Sequence, residues 1–181
     1  MNSFFKYVKE SFKVFTNTRT LVFAAMFISL NIILTRYFSI QTQFIRIGFG
    51  FLPVAIYAML FGPVAGAFAA AVGDVIGFFL FPQGLYFPGF TFSAFMSGMI
   101  YGLYFYKKKI TVLRIVLATI TVILLIDLGM NTLWLSILYN KGVALIVFGR
   151  LIKSAIMLPV QSILIYVLNR LMERTLREFN K

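Results

Sequence analysis

The chain has 181 residues, 61% of them hydrophobic and 12% charged, which is more apolar surface than a single soluble domain can bury, so lipid is expected to cover part of it. Neither Cys nor His occurs, which excludes disulfides, thiolate nucleophiles, imidazole bases and the usual zinc sites. Seventeen Lys and Arg stand against five acidic residues, and of the five only Asp74 and Asp127 lie inside apolar sequence. There is no P-loop signature, so ATP has no binding loop here, and no cofactor is expected.

In the first nineteen residues Phe4, Val8, Phe12 and Phe15 recur at helical spacing with Lys6, Lys9 and Lys13 between them. That pattern predicts an amphipathic helix on the cytoplasmic membrane face rather than a cleaved signal peptide, whose uninterrupted apolar run is missing. Residues 20–181 read as one membrane domain. A first helix is predicted over 21–38, interrupted by Asn31 and Arg36, followed by a polar loop over 39–48 that contains Arg46.

From Ile47 to Leu80 the only charge is Asp74. One helix of that length would extend about 50 Å, well past a hydrocarbon core of about 30 Å, so the chain must turn back, and Gly62-Pro63 is the turn signal. The second helix (49–61) is then too short to cross, and the 39–48 loop is expected to cover the depth it leaves open. The third helix (63–81) carries Ala69, Gly73 and Gly77, and the fourth (88–106) carries Ser93, Ser97, Gly98 and Gly102, small residues that let helices approach closely. Long fifth (110–139) and sixth (143–172) helices complete an all-α bundle of six transmembrane helices.

Counting Lys and Arg places both termini in the cytoplasm, with twelve of the 17 basic residues on that side, Lys107, Lys108 and Lys109 among them. The remaining Arg36, Arg46, Lys141, Arg150 and Lys153 fall on the other side. Arg150 and Lys153 lie about 10 and 15 Å down the sixth helix and project from nearly the same face. A cation at bilayer depth costs at least about 2.5 kcal/mol, so such residues normally face a cavity or a partner. A receptor for a carboxylate- or phosphate-bearing solute is one reading; snorkelling of Arg36 and Lys141 to the interface is the other.

Asp127, Asn131 and Trp134 fall on one α-helical stripe of the fifth helix, where Asp and Asn suit a ring edge and Trp a ring face. Alternatively Asp127 pairs with Arg150 as a buried strut and Trp134 belongs to the interfacial belt.

The stretch Arg46-Ile47-Gly48-Phe49-Gly50-Phe51-Leu52-Pro53, together with Tyr86-Phe87-Pro88-Gly89-Phe90-Thr91 and the small residues after it, resembles the S components, the substrate-capturing membrane subunits of energy-coupling factor (ECF) vitamin transporters, of folate-specific type. The resemblance extends from about Thr20 onward. It implies a multi-pass protein of the bacterial cytoplasmic membrane, not an enzyme, that works with a transmembrane coupling subunit and two ATPases and has no nucleic-acid partner. It also implies a small-residue docking face on the first helix, where Ala25 and Ser29 are the nearest match. Folate suits the residues above: a pterin for Phe87 or Trp134, ring nitrogens for Asp127 or Asn131, and a glutamate tail for Arg46, Arg150 and Lys153, with Asp74 as a further site candidate. An S component for another vitamin, a small intramembrane enzyme using Asp74 and Asp127, and a small channel or exporter stay open as alternatives.

Overall fold

A computed structural model describes residues 18–41, 45–82 and 84–179, so the amphipathic segment expected over 1–19 lies outside the described residues apart from Thr18 and Arg19. The order is α1 (Thr18–Arg36), β1 (Ser39–Gln41), β2 (Arg46–Gly48), α2 (Phe51–Phe61), α3 (Pro63–Leu80), α4 (Pro88–Phe105), α5 (Val112–Tyr139) and α6 (Val143–Phe179). Among the described residues four helices are long and apolar enough to cross a membrane: α1, α3, α5 and the 146–172 part of α6. α2 is apolar but only 11 residues long, about 16 Å.

Three elements depart from the sequence reading. The 39–48 segment is not a plain loop: its ends pair as an antiparallel hairpin, Ser39 opposite Gly48 and Ile40 opposite Ile47. Gly48 permits the close pairing, because a Cβ there would sit 2.8 Å from the Ser39 Cβ. The middle of α5, Val122–Met130, is π-helical, with the Asn131 amide donating to the carbonyl of Ile126 five residues back. α6 also runs seven residues beyond its predicted end at 172, with Pro159 inside it.

The turn between α2 and α3 is at Gly62, whose φ of 98° suits a residue without Cβ, and Pro63 opens α3 where a missing amide costs nothing. α3 then uses its small residues on two neighbours. Toward its start, Gly66 meets Gly98 of α4, backbone against backbone. Toward its end, Gly73 and Gly77 accept Asn31 and Arg36 of α1. Ala69, expected on the same face, is only half-buried.

The buried core, including Ala58, Tyr101, Phe105, Ile115, Ala118 and Ile165, fills the half of the bundle nearest the lysine turn at 107–109. The opposite half, below the hairpin, is where the packing opens. Large apolar side chains on the outside, such as Met26, Phe79, Leu113, Ile137 and Phe148, are exposed, as a lipid-facing surface requires.

Candidate ligand site at the hairpin end

A cavity of about 360 Å³ lies under the hairpin, and all six helices reach it. It forms because α2 is short: with no helical turns beside the end of α1, the hairpin residues Ile45, Arg46 and Gly48 roof the gap. The hairpin is anchored below by Asn31, whose Nδ2 donates to the carbonyl of Gly50 at 2.7 Å, and by Ser39, whose hydroxyl donates to the carbonyl of Thr35 at 2.5 Å.

Seven of the eight sequence-predicted site residues line this cavity: Arg46, Asp74, Phe87, Asp127, Asn131, Arg150 and Lys153. The structure brings them together from the hairpin, α3, the 85–87 turn, α5 and α6. Trp134 stands behind the wall instead. The π-helical stretch carries more residues per turn, so Trp134, seven positions beyond Asp127, no longer shares its stripe, while Asn131, four beyond, still lines the cavity. Trp134 donates from Nε1 to the Ser93 hydroxyl at 3.0 Å and packs against Phe87 with ring centroids 5.6 Å apart. Gly89 lets those rings meet, since a Cβ there would fall 2.5 Å from Phe87 and 2.6 Å from Trp134.

The α5–α6 wall is an ion cluster. Lys153 Nζ donates to Asp127 Oδ2 at 2.9 Å, and Arg150 lies 3.6 Å from the other carboxylate oxygen. Arg150 also donates to the backbone carbonyl of Asp127 at 2.7 Å. That second bond is available because the wide helical turn, which also receives the Thr132 hydroxyl at 3.2 Å, leaves the carbonyl accessible. Asn131 donates from Nδ2 to Asp127 at 3.3 Å, which leaves its Oδ1 as a buried acceptor without a protein partner. Of the two sequence readings of Asp127, the strut is the one this geometry shows: it pairs with Arg150 and Lys153 and accepts from the amide of Asn131.

The hairpin wall is different. Arg46 and Arg36 share it with a single acid, Asp74, which accepts the Thr91 hydroxyl at 2.7 Å. Burial, and then the charge of Arg36, push Arg46 down to about 10 against the opposite pull of Asp74, which leaves it charged at neutral pH. Arg36 does not simply reach for an interface, because its guanidinium lies along α3 beside Gly77. Lys141 is exposed in the α5–α6 turn and is not among the lining residues. Ala25 and Ser29 are exposed on α1, far down its apolar outer side.

The sequence reading missed Asn31, Thr35, Tyr101 and Gln161 as lining residues. Asn31 and Gln161 did carry a signal, namely an amide within an otherwise apolar helix. Tyr101 carried none, since a buried tyrosine in a helix reads as core. Among the described residues, no group of three His, Cys, Asp or Glu could hold a metal ion.

Known proteins place this arrangement. The family model for the ECF transporter, substrate-specific component, matches residues 19–169. The folate transporter FolT of Clostridium novyi (strain NT) is 47% identical over 154 residues, 85% of this chain and 90% of that protein. The folate transporter FolT of Leuconostoc mesenteroides subsp. mesenteroides is 33% identical over 151 residues, 80% of this chain and 81% of its own length. A crystal structure of FolT bound with folic acid superposes with a TM-score of 0.81 at 40% identity, covering 84% of this chain and 93% of that one. With the matched region spanning every helix and the cavity between them, the chain belongs to the ECF transporter substrate-specific components.

Proposed function

We propose that this chain captures folate from outside a bacterial cell and delivers it to an ATP-driven coupling module, and that all six helices lie in the cell membrane with both termini cytoplasmic. The observation that carries the reading is the cavity itself: aromatic and amide groups on one wall, arginines on the other, in a chain 40% identical to a FolT whose structure holds folic acid. The flat pterin is placed against Phe87, which Trp134 backs, with a ring-edge donor on Asn131 Oδ1. Arg150 and Lys153 are already engaged by Asp127, so the glutamate tail is placed on Arg46 and Arg36 rather than on every cation read from the sequence.

Titration of the purified protein with folate in detergent tests this directly. Binding is expected, and Arg46→Ala should weaken it by roughly 1.5–3 kcal/mol, the range for a hydrogen bond to a charged group. Lys141→Ala should leave it unchanged. A parent protein that binds no folate overturns the proposal.

The orientation is supported by the Lys and Arg count, which puts the hairpin end outside. Single cysteines replacing Lys108 or Lys141, treated with an impermeant reagent on intact cells, should label at 141 alone. Labelling at 108 alone would invert the topology.

Membership of the ECF family, together with the absence of a P-loop in the sequence, supports accumulation driven by a coupling subunit and two ATPases. The docking face is placed at Ala25 and Ser29, where small exposed side chains admit a partner helix. Ala25→Trp should therefore retain folate binding after purification and lose uptake in cells that supply the partners. Loss of binding along with uptake would mean that the face packs internally.

A further inference from the structure

At the hairpin wall two guanidinium groups share one carboxylate, so the wall carries one positive charge in excess. Arg36 closes α1, Arg46 opens β2, and Asp74 of α3 lines the same end of the cavity. The groove of α3 fixes Arg36: a Cβ on Gly77, one turn beyond Asp74, would come 3.3 Å from Arg36 Nε. That Nε is buried and has no hydrogen-bond partner in the protein. Asp74 is held separately, through the Thr91 hydroxyl at 2.7 Å, whose oxygen lies 3.2 Å from the Tyr86 hydroxyl. The carboxylate is thus fixed from the α4 side while the cations come from α1 and the hairpin.

An anionic tail entering this end gains from both arginines and is opposed by Asp74. We infer that Asp74 is a specificity-determining residue, the built-in counter-charge that limits how many carboxylates a ligand's tail can bring to the hairpin wall. The inference rests on the folate reading above and adds to it a rule for which tails are accepted. Charges within a few ångströms of one another at a partly buried site interact through an effective dielectric constant nearer 20 than 80, so one fixed charge discriminates strongly between tails of different charge. Asp74→Asn removes that charge while keeping the shape, and its amide oxygen still accepts from Thr91.

The test uses the full chain, purified and titrated with three probes that share the pterin and differ in their tails. Pteroic acid has one carboxylate, folic acid two and pteroyl-diglutamate three. In Asp74→Asn the affinity for folic acid relative to pteroic acid should rise about tenfold, and that for pteroyl-diglutamate should rise further. Asp74→Glu, which retains the charge, should keep the parent's order. Each ratio is measured on one sample, so a misfolded fraction cancels. A parent that binds the probes but shows the same ratios in Asp74→Asn, or lower ones, overturns the inference alone and makes Asp74 a positioning residue for the arginines. A parent that binds none of the three sinks the folate reading and this inference with it.

Discussion

Asp127→Ala should destabilise the protein by about 3–5 kcal/mol, the usual penalty for stripping one partner from a buried ion pair. Asp127 accepts Lys153 at 2.9 Å and faces Arg150 at 3.6 Å, and the side chains of both cations are 10% exposed or less. Without the carboxylate, two cations are left at a depth where neither water nor lipid compensates them. The thermal midpoint of purified protein in detergent is the direct readout. Removing the cation as well, in Asp127→Leu with Lys153→Met, should recover most of the loss, because an apolar replacement of a whole pair is often neutral. Arg150 would keep its bond to the backbone carbonyl at 127 in that double variant. Folate binding should not recover, since Asn131 loses the carboxylate it donates to. If Asp127→Ala melts with the parent, the cluster is hydrated and the strut carries no stability.

Gly98→Ala should cost at or beyond the upper end of the roughly 1–3 kcal/mol typical of overpacking. A Cβ there would lie 2.3 Å from the Gly66 carbonyl oxygen, 2.6 Å from its carbon and 2.9 Å from the Ala67 nitrogen. All three are backbone atoms, so no side chain can rotate away and α3 must separate from α4. The cavity should suffer with it, because Asp74 hydrogen-bonds across that same helix pair to Thr91. Gly142→Ala is the control, with nothing within 4 Å of its added Cβ. Melting and folate titration of the two variants side by side check the claim, and equal behaviour would mean that the two helices are not in backbone contact.

Much of this protein could be read before any coordinates, and for identifiable reasons. Hydropathy is summed over many residues, so the helices of the bundle stood out even where single assignments were off by a turn. Gly62-Pro63 marked the α2–α3 turn because the backbone there needs a residue without Cβ followed by one that lacks an amide. Arg150, Lys153, Asp74 and Asp127 announced an internal polar site because charge at bilayer depth is too costly to be incidental.

Pairing was not legible in that way. The hairpin over 39–48 depends on Ser39 and Gly48 meeting across the roof of a gap, and a three-residue strand leaves no periodicity to detect. The π-helical turn in α5, whose Asp127 carbonyl accepts from Arg150 of α6, leaves no mark in the local pattern, so the α-helical stripe that joined Trp134 to Asp127 failed. Composition and local pattern by themselves determined that the chain is an apolar helical protein with cations buried toward one end. Which cation meets which acid was decided only by the tertiary structure, because an ion pair depends on where two helices come together, and Asp127 of α5 meets Arg150 and Lys153 of α6 across 23 and 26 residues of sequence.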